Sequence, residues 1–196
     1  MSFERLRTAL ASRPPGTATI DRIAPEHLPP GGFTPAAALV PLHEKDGEPH
    51  LVLTRRPNHM RLHPGQLSVP GGHIEPGEEP LQAALREANE EIGLATADVD
   101  VLGRLSETIV LASGYRLTPW VASVPYPYPY VPAPDEVDAI IHVPLAALDR
   151  PGAHRAVPRR AYGMDLDVHY FAIDGETLWG ATARIVWELL SVWRGA

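Results

Sequence analysis

One predicted helix carries three glutamates within five residues, and this crowding constrains the chain more than any other feature of its sequence. Pro80 suits the first turn of a helix, and Gly93 is a typical residue just beyond the last turn. Between them, five apolar residues recur at the spacing of an amphipathic helix: Leu81, Ala84, Leu85, Ala88 and Ile92. We therefore expect a helix over residues 80–92 that packs one face against a core.

The three glutamates point in two directions from this helix. At about 100° per residue, Glu87 and Glu91 share one flank, whereas Glu90 lies further round toward solvent. Like charges one turn apart destabilise a helix, and the helix dipole disfavours negative charge near the C-terminus. A solvated acidic face is one interpretation of this cluster. The alternative is a site for a hard divalent cation, because Mg²⁺ prefers carboxylate oxygens together with substrate phosphates.

The rest of the sequence predicts a mixed α/β fold. A short helix is expected over 2–12, and a closing amphipathic helix over 182–193. Residues 136–148 have the pattern of a strand that runs into a short helix. Residues 57–79 are rich in turn-forming residues and are expected to be irregular, which in a compact domain favours a functional loop. Five further segments have the hydrophobic pattern of strands: 34–42, 50–56, 99–110, 115–124 and 168–174.

Composition and charge narrow the classes of function. With 196 residues the chain is expected to form one domain, 1–196, in which 1–33 are an N-terminal helix and linker. The net charge of −7 argues against a nucleic-acid surface, and the absence of cysteine excludes disulfides and thiolate metal sites. No apolar run approaches the roughly 18 residues that a membrane span needs. Neither end has a targeting pattern, so we expect a cytoplasmic protein without a membrane partner.

From Gly72 onward, the sequence GHIEPGEEPLQAALREANEEIGL resembles the signature of the Nudix hydrolase family, G-x5-E-x7-R-E-U-x-E-E-x-G-U, where U is an apolar residue. Seven residues fill the fixed positions without a gap: Gly72, Glu78, Arg86, Glu87, Glu90, Glu91 and Gly93. Ala88 is a small occupant of an apolar position. The resemblance implies the Nudix fold, a mixed β-sheet sandwiched between α-helices, with a loop-helix-loop catalytic motif at 71–94.

The same resemblance implies a metal-dependent hydrolase of diphosphate compounds, with Mg²⁺ or Mn²⁺ as the cofactor. Glu87 and Glu91 would be the principal metal ligands, and Glu90 would assist directly or through water. The carbonyl oxygen of Gly71 is a candidate backbone ligand. Two other members of the motif are expected to hold the loop and the helix together rather than take part in the chemistry: Arg86 and Glu78.

The loop before this signature narrows the class of substrate. Its sequence LVLTRRPNHMRLHPGQLSVPGG resembles the motif L-L-T-x-R-[SA]-x3-R-x3-G-x3-F-P-G-G of the coenzyme A pyrophosphatase subgroup. Eight residues match the motif: Leu53, Thr54, Arg56, Arg61, Gly65, Pro70, Gly71 and Gly72. Three residues depart from it: Val52, Pro57 and Val69. The resemblance implies hydrolysis of coenzyme A and its derivatives to 3′,5′-ADP and 4′-phosphopantetheine.

Three charged residues outside the helix are further candidates for the site. Arg56 and Arg61 are expected to bind a ligand phosphate, because a guanidinium offers two parallel donors, and an ion pair with a local carboxylate is the alternative. Glu136 begins a predicted strand and is a candidate metal ligand or general base, with an ordinary surface carboxylate as the alternative. The Pro-rich segment 124–134 is expected to be a surface loop, and a lid over the substrate is the alternative.

Three hypotheses remain for what the protein binds. The first is coenzyme A, and the second keeps the same chemistry with ADP-ribose, NADH or a nucleoside triphosphate as the substrate. The third is a Nudix-fold sensor without catalytic activity, against which the intact glutamates of the motif argue. The sequence leaves open the acyl-chain preference, the preferred metal, the general base, and the choice between a monomer and a homodimer.

Overall fold

The fold is described by a computed structural model over residues 2–13, 22–60, 63–110 and 112–195. Four α-helices occur in these ranges: α1 (Phe3–Ser12), α2 (Pro80–Ile92), α3 (Leu145–Asp149) and α4 (Gly180–Gly195). Eight strands form a central sheet: β1 (Thr34–Lys45), β2 (Glu48–Arg55), β3 (Leu67–Ser68), β4 (Gly71–His73), β5 (Asp100–Arg104), β6 (Thr108–Val110), β7 (Tyr115–Ser123) and β8 (Ala139–Pro144). Three more form a second sheet: β9 (His154–Ala161), β10 (Met164–Ile173) and β11 (Glu176–Trp179). None of the helices in the described ranges has the length and apolarity that a membrane crossing needs.

The central strand β1 is buried along most of its length because helices cover the sheet on both faces. On one face, Ala37 and Leu39 pack with the apolar stripe of α2. On the opposite face, Ala38 and Val40 pack with residues of α1 and α4. Strand β1 runs parallel to β7 and antiparallel to β2 and β4, so the sheet is mixed. The predicted mixed sheet between α-helices is confirmed.

Strands β1 and β2 diverge, and a short segment fills the gap between them. The two strands pair over residues 42–45 of β1. Further along, β4 pairs with residues 36–38 of β1, while β3 pairs with residues 54–55 of β2. The loop that was expected to be irregular therefore contains two strands. Strands of two or three residues flanked by proline and glycine have no alternating pattern by which the sequence could mark them.

Helix α2 begins and ends where the sequence predicts. Glu79 and Gln82 form a capping box at its start. At its end Gly93 adopts a left-handed conformation with φ 68°, which glycine adopts without strain. A Cβ at this glycine would also lie 3.0 Å from the Cβ of Val131. Gly93 is therefore required both by the turn and by the close approach of another segment.

That other segment is the Pro-rich stretch 124–134, which docks on the C-terminus of α2. The N–H of Val131 donates to the carbonyl of Ile92 at 3.0 Å, and the N–H of Ala133 donates to the carbonyl of Glu91 at 2.8 Å. These bonds satisfy carbonyl groups that the end of a helix leaves unpaired. The segment has many exposed residues, as expected of a surface loop, but it is fixed to the helix at two points.

The strand predictions differ from the structure in three more places. The predicted strand 99–110 is divided into β5 and β6, both of which pair with β7. The predicted strand 168–174 is the second half of the longer β10, and its neighbours β9 and β11 are absent from the prediction. Strand β9 is mostly exposed and contains three arginines, so its sequence has no alternation of apolar and polar residues.

The other predicted elements are confirmed: the helices at both ends of the chain, the first two strands and the β8–α3 segment.

A buried carboxylate joins α4 to the central sheet. The side chain of Glu188 is 5% exposed and accepts hydrogen bonds from the backbone N–H and the hydroxyl of Ser106, at 3.1 and 2.6 Å. Arg184 donates to its other oxygen at 3.1 Å, so the buried charge is paired. Because Ser106 lies between β5 and β6, this network fixes α4 against that edge of the sheet.

Replacing Glu188 with alanine should lower the free energy of unfolding by about 3 kcal/mol, because the buried donors of Ser106 and the partly buried guanidinium of Arg184 lose their acceptor. Urea denaturation measures the change. Glu4→Ala is the control, since the Glu4 side chain is 79% exposed and should change stability by less than about 0.5 kcal/mol. A loss for Glu188→Ala no larger than the control's would contradict this role.

Candidate active site

A cleft of about 890 Å³ collects four of the charged residues that the sequence singles out. Its walls come from β1, β4 and β7 on the central sheet and from β9, β10 and α4. The carboxylates of Glu87, Glu91 and Glu136 line the cleft together with Arg56, whereas Glu90 does not line it. The helical-wheel separation of Glu90 from the other two glutamates on α2 therefore agrees with the structure.

Two glycines let the glutamates of α2 approach the strand beside them. A Cβ on Gly72 would lie 2.4 Å from the Cδ of Glu87, and a Cβ on Gly71 would lie 2.5 Å from the carbonyl oxygen of Ala37. A side chain at either position would displace the glutamate or the neighbouring strand. Close packing therefore requires glycine at both positions of the motif, because only then can α2 approach β4 closely enough for its carboxylates to reach the cleft.

Arg86 connects the loop before α2 to the helix itself. Its Nε and Nη2 atoms donate to the two carboxylate oxygens of Glu78 at 2.9 and 3.1 Å, and Nη2 also donates to the carbonyl of His73 at 2.9 Å. Its Nη1 atom donates to Glu87 at 2.8 Å and to Glu90 at 3.0 Å. Hydrogen bonding with Glu78 raises the pKa of Arg86, and the same contact lowers the pKa of Glu78. The guanidinium thus stays charged and holds both segments in one arrangement.

The three glutamates of α2 have different surroundings. The side chain of Glu90 is 57% exposed and is held by Arg86 on the solvent side of the helix. Glu87 is 14% exposed, and Glu91 is 5% exposed and accepts a hydrogen bond from the N–H of Gly71 at 3.2 Å. The structure therefore brings Glu87 and Glu91 together at the cleft, and a metal-binding role for Glu90 stays a prediction.

At the α2 end of the cleft, three carboxylates line the wall together with one arginine, Arg56. Burial, which is the largest cause, together with the carboxylates of Glu136 and Glu87 raises the pKa of Glu91 to about 8. The N–H of Gly71 and the charge of Arg56 act in the opposite direction, but they do not outweigh burial. A buried carboxyl beside two other carboxylates is a group that needs additional positive charge to ionise near neutral pH.

The oxygen donors in the cleft fit a hard divalent cation. Mg²⁺ and Mn²⁺ are bound by carboxylate oxygens, and a cation would add positive charge beside Glu91 and Glu136, whereas Glu87 already has the charge of Arg86. Across the ranges that the structure describes, no three acidic or histidine side chains are already at the spacing of metal ligands. The predicted metal ligands therefore line the same part of the cleft, but their carboxylates are not yet at the distances of a bound metal site. Whether the carbonyl of Gly71 joins it stays a prediction.

Arg56 is placed where the sequence predicts a phosphate-binding residue. Its backbone is fixed to the loop, because its N–H donates to the carbonyl of Gln66 at 2.9 Å and its carbonyl accepts from the N–H of Gly65 at 3.2 Å. The buried Nε of its side chain has no hydrogen-bond partner among the described residues. The Arg56 residue lines the cleft, and its charge acts on the carboxyl of Glu91. Arg61, the second predicted arginine, lies outside the described residues.

Glu136 is positioned by a turn that contacts both α2 and β2. Its N–H donates to the carbonyl of Ala133 at 3.0 Å, while Ala133 is itself bonded to the last turn of α2. Two residues later, the N–H of Asp138 donates to the carbonyl of Arg55 at 2.8 Å. These contacts hold Glu136 at the cleft beside the pair on α2, and its chemical role stays a prediction.

Several cleft residues are absent from the sequence-based candidates. The hydroxyl of Tyr115 and Nε2 of His73 are 2.8 Å apart at the edge of the cleft. Arg184 and Trp187 line it from α4. Because they are three residues apart on one helix, the sequence could have predicted that the Arg184 side chain lies against the Trp187 ring. Nothing in the sequence indicates that α4 lies beside the glutamates.

The raised pKa of Glu91 predicts that the stability of the metal-free protein falls as the pH rises. Between pH 4.5 and about 8 the folded state retains a proton that the unfolded state has released, so the free energy of unfolding decreases across this window. Glu91→Gln carries no such charge. With a chelator present, it should melt at a higher temperature than the wild type above pH 8, and the difference should vanish toward pH 4.5.

Glu90→Gln is the matched control for this pH dependence, because the Glu90 side chain is largely exposed. Its melting temperature should follow that of the wild type across the same pH range. A Glu91→Gln variant that melts below the wild type above pH 8 would contradict the assigned environment of Glu91.

Comparisons with known proteins agree with the fold and with the motif. Residues 32–162 match the family model of the NUDIX domain. An uncharacterized Nudix hydrolase, NudL, of Yersinia pestis (strain Pestoides F) is 35% identical over 155 residues, which cover 79% of this chain and 77% of that protein. The solved structure of a MutT/nudix family protein from Enterococcus faecalis aligns with a TM-score of 0.59 at 16% identity, over 81% of this chain and 61% of that one. The Nudix hydrolase RenU of M. smegmatis aligns with a TM-score of 0.52 at 22% identity, over 62% and 80% of the two chains. The chain belongs to the Nudix hydrolase family.

Proposed function

We propose that this protein is a metal-dependent hydrolase that cleaves the diphosphate of coenzyme A and its derivatives into 3′,5′-ADP and 4′-phosphopantetheine. The main support for this proposal is that Arg56 lines the same cleft as Glu87 and Glu91 and that its charge acts on Glu91. Arg56 belongs to the coenzyme A motif, and the glutamates belong to the Nudix signature. A diphosphate bound between them would meet a guanidinium and the metal-binding carboxylates together.

Glu87 and Glu91 are the residues that would hold the cation, with Glu136 at the edge of the pair. A bound Mg²⁺ or Mn²⁺ neutralises charge on a diphosphate and lowers the pKa of an attacking water. Glu90, held by Arg86 outside the cleft, would assist through water.

The other residues of the chain bind, orient and accept a proton. Arg56 donates from its guanidinium to a phosphate oxygen, and Arg61 is proposed to do the same on the strength of the motif alone. Arg86 keeps Glu87 in place through the contact at 2.8 Å. Glu136 is the candidate base, since its carboxylate lines the cleft and belongs to a segment outside the helix.

The departures from the coenzyme A motif leave ADP-ribose, NADH and nucleoside triphosphates as alternative substrates. Val69, which stands where the motif has phenylalanine, is 5% exposed, packs in the main core and also lines the cleft, so the smaller side chain leaves more room there. A panel of these compounds with coenzyme A, each incubated with protein and Mg²⁺ or Mn²⁺, separates the hypotheses by product analysis. Turnover of another compound without coenzyme A would overturn the proposed substrate, and turnover of none would favour a sensor.

Glu91→Gln should lower kcat on coenzyme A by at least about 100-fold, because it removes a charged ligand from the proposed metal site. Glu90→Gln should retain more of the activity, since Glu90 does not line the cleft. Chromatographic measurement of 3′,5′-ADP release compares the two. A Glu91→Gln variant as active as the wild type would contradict the assignment of the metal ligands.

Arg56→Gln should lower kcat/KM by about 30-fold, because a hydrogen bond between two charged groups is lost. Its neighbour Arg55 is the matched control, since Arg55 pairs with Glu176 and does not line the cleft. Arg55→Gln should change thermal stability more than kcat/KM. Equal kinetic losses in the two variants would argue against phosphate binding by Arg56.

A further inference from the structure

The cleft extends well beyond the carboxylates, and its far end has a different chemistry. Across the central sheet, Ala36 of β1 pairs with His73 of β4 on one side and with Leu117 of β7 on the other. Leu117 in turn pairs with Thr108 of β6. Strand β4 is therefore three strand spacings from β6, and with about 4.8 Å between neighbouring strands this is a distance of about 14 Å.

Arg184 and Trp187 lie on the β6 side of this span. They belong to α4, whose Glu188 is bonded to Ser106 just before β6. Glu87 and Glu91 lie on the β4 side, where Gly71 and Gly72 admit them. A ligand whose diphosphate occupies the carboxylate end therefore has room for one of its arms to run along the sheet toward α4.

The far end is held in position before any ligand arrives. The Arg184 guanidinium lies 4.9 Å from the centre of the Trp187 ring and is paired with Glu188, which is buried. The Trp187 ring also lies 5.0 Å from the ring of His169, measured between ring centres. His169 is 5% exposed, so the tryptophan is backed by a buried group, yet Trp187 itself remains 37% exposed. Trp187 is therefore a fixed aromatic ring with about a third of its surface exposed, and that exposed apolar surface can pack against a planar base.

We propose that Trp187 and Arg184 form the subsite for the 3′-phosphoadenosine end of the substrate, with adenine stacked on Trp187 and the 3′-phosphate bound by Arg184. The inference rests on the proposed function, because it assigns one arm of coenzyme A to one end of the catalytic cleft. A planar base and a phosphate at one end of a ligand match a planar ring and a guanidinium that are fixed side by side.

The other arm of coenzyme A fits this end less well. Pantetheine is a flexible, uncharged chain, and a fixed guanidinium beside an exposed ring offers it no matching charge. His169 adds no second cation, because burial lowers its pKa to about 4. Within the described parts of the chain, Arg184 is the charged residue that lies against Trp187, and its Nη1 atom donates to Glu188.

Calorimetric titration of the intact protein with the two products and a truncated analogue tests this assignment without turnover. The probes are 3′,5′-ADP, 5′-AMP and 4′-phosphopantetheine, each with Mg²⁺ present. The wild type should bind 3′,5′-ADP about tenfold more tightly than 5′-AMP, because the two differ by the 3′-phosphate. Arg184→Gln should remove this preference and leave 5′-AMP binding nearly unchanged, whereas Arg184→Lys should retain part of it. Trp187→Leu should weaken both nucleotides about tenfold.

Arg155→Gln is the matched control, because the Arg155 guanidinium also lies over a ring, that of Tyr170 at 4.1 Å, but Arg155 does not line the cleft. It should change none of the three affinities. The proposal is overturned if Trp187→Leu weakens 4′-phosphopantetheine instead of the nucleotides. It is also overturned if Arg159→Gln, at another arginine of the cleft, removes the preference and Arg184→Gln does not.

Parallel assays of coenzyme A hydrolysis keep this inference separate from the proposed function. Hydrolysis of coenzyme A with no preference for 3′,5′-ADP in the wild type would leave the function standing and overturn the subsite, even if Arg184→Gln failed to fold. Binding of 3′,5′-ADP that depends on Arg184 and Trp187, without hydrolysis of coenzyme A, would support the subsite and overturn the function.

Discussion

The close approach of α2 to β4, fixed by Arg86, is the constraint on which the site depends. Arg86 bonds the loop residues Glu78 and His73 and the helix residues Glu87 and Glu90 at the same time. Gly72 makes this approach sterically feasible, because any side chain there would meet the carboxylate of Glu87. Without this arrangement the glutamates would form an ordinary solvated face. With it, two of them enter a cleft and become mutually repelling, partly buried groups that favour a cation.

Helix α2 could be predicted from the sequence because its signals are local. Pro80, Gly93 and the apolar period define its ends and its buried face, and the wheel alone separates Glu90 from Glu87 and Glu91. The mixed sheet between helices could be predicted in outline for the same reason. The short strands β3 and β4 could not, because they are specified by the gap between β1 and β2 and not by their own side-chain pattern.

The other half of the cleft depends on contacts between residues that are distant in the sequence. Strand β9 lacks an apolar alternation, and the position of α4 is set by the buried bonds from Glu188 to Ser106, which lie 82 residues apart. The same holds for Glu136, whose turn is fixed by backbone bonds to the end of α2. A single sequence records which of these residues are polar or aromatic, but not which of them meet. The carboxylate end of the cleft is thus visible in the sequence, and the end at Trp187 becomes visible only in the structure.

The central claim is that a divalent cation binds where Glu87 and Glu91 enter the cleft. Anomalous diffraction from crystals soaked with Mn²⁺ and 3′,5′-ADP locates the metal directly. The proposed metal site predicts an anomalous peak within about 2.3 Å of carboxylate oxygens of both Glu87 and Glu91, and the loss of that peak in Glu91→Gln. A peak bound by other residues, or one that persists unchanged in Glu91→Gln, would contradict it.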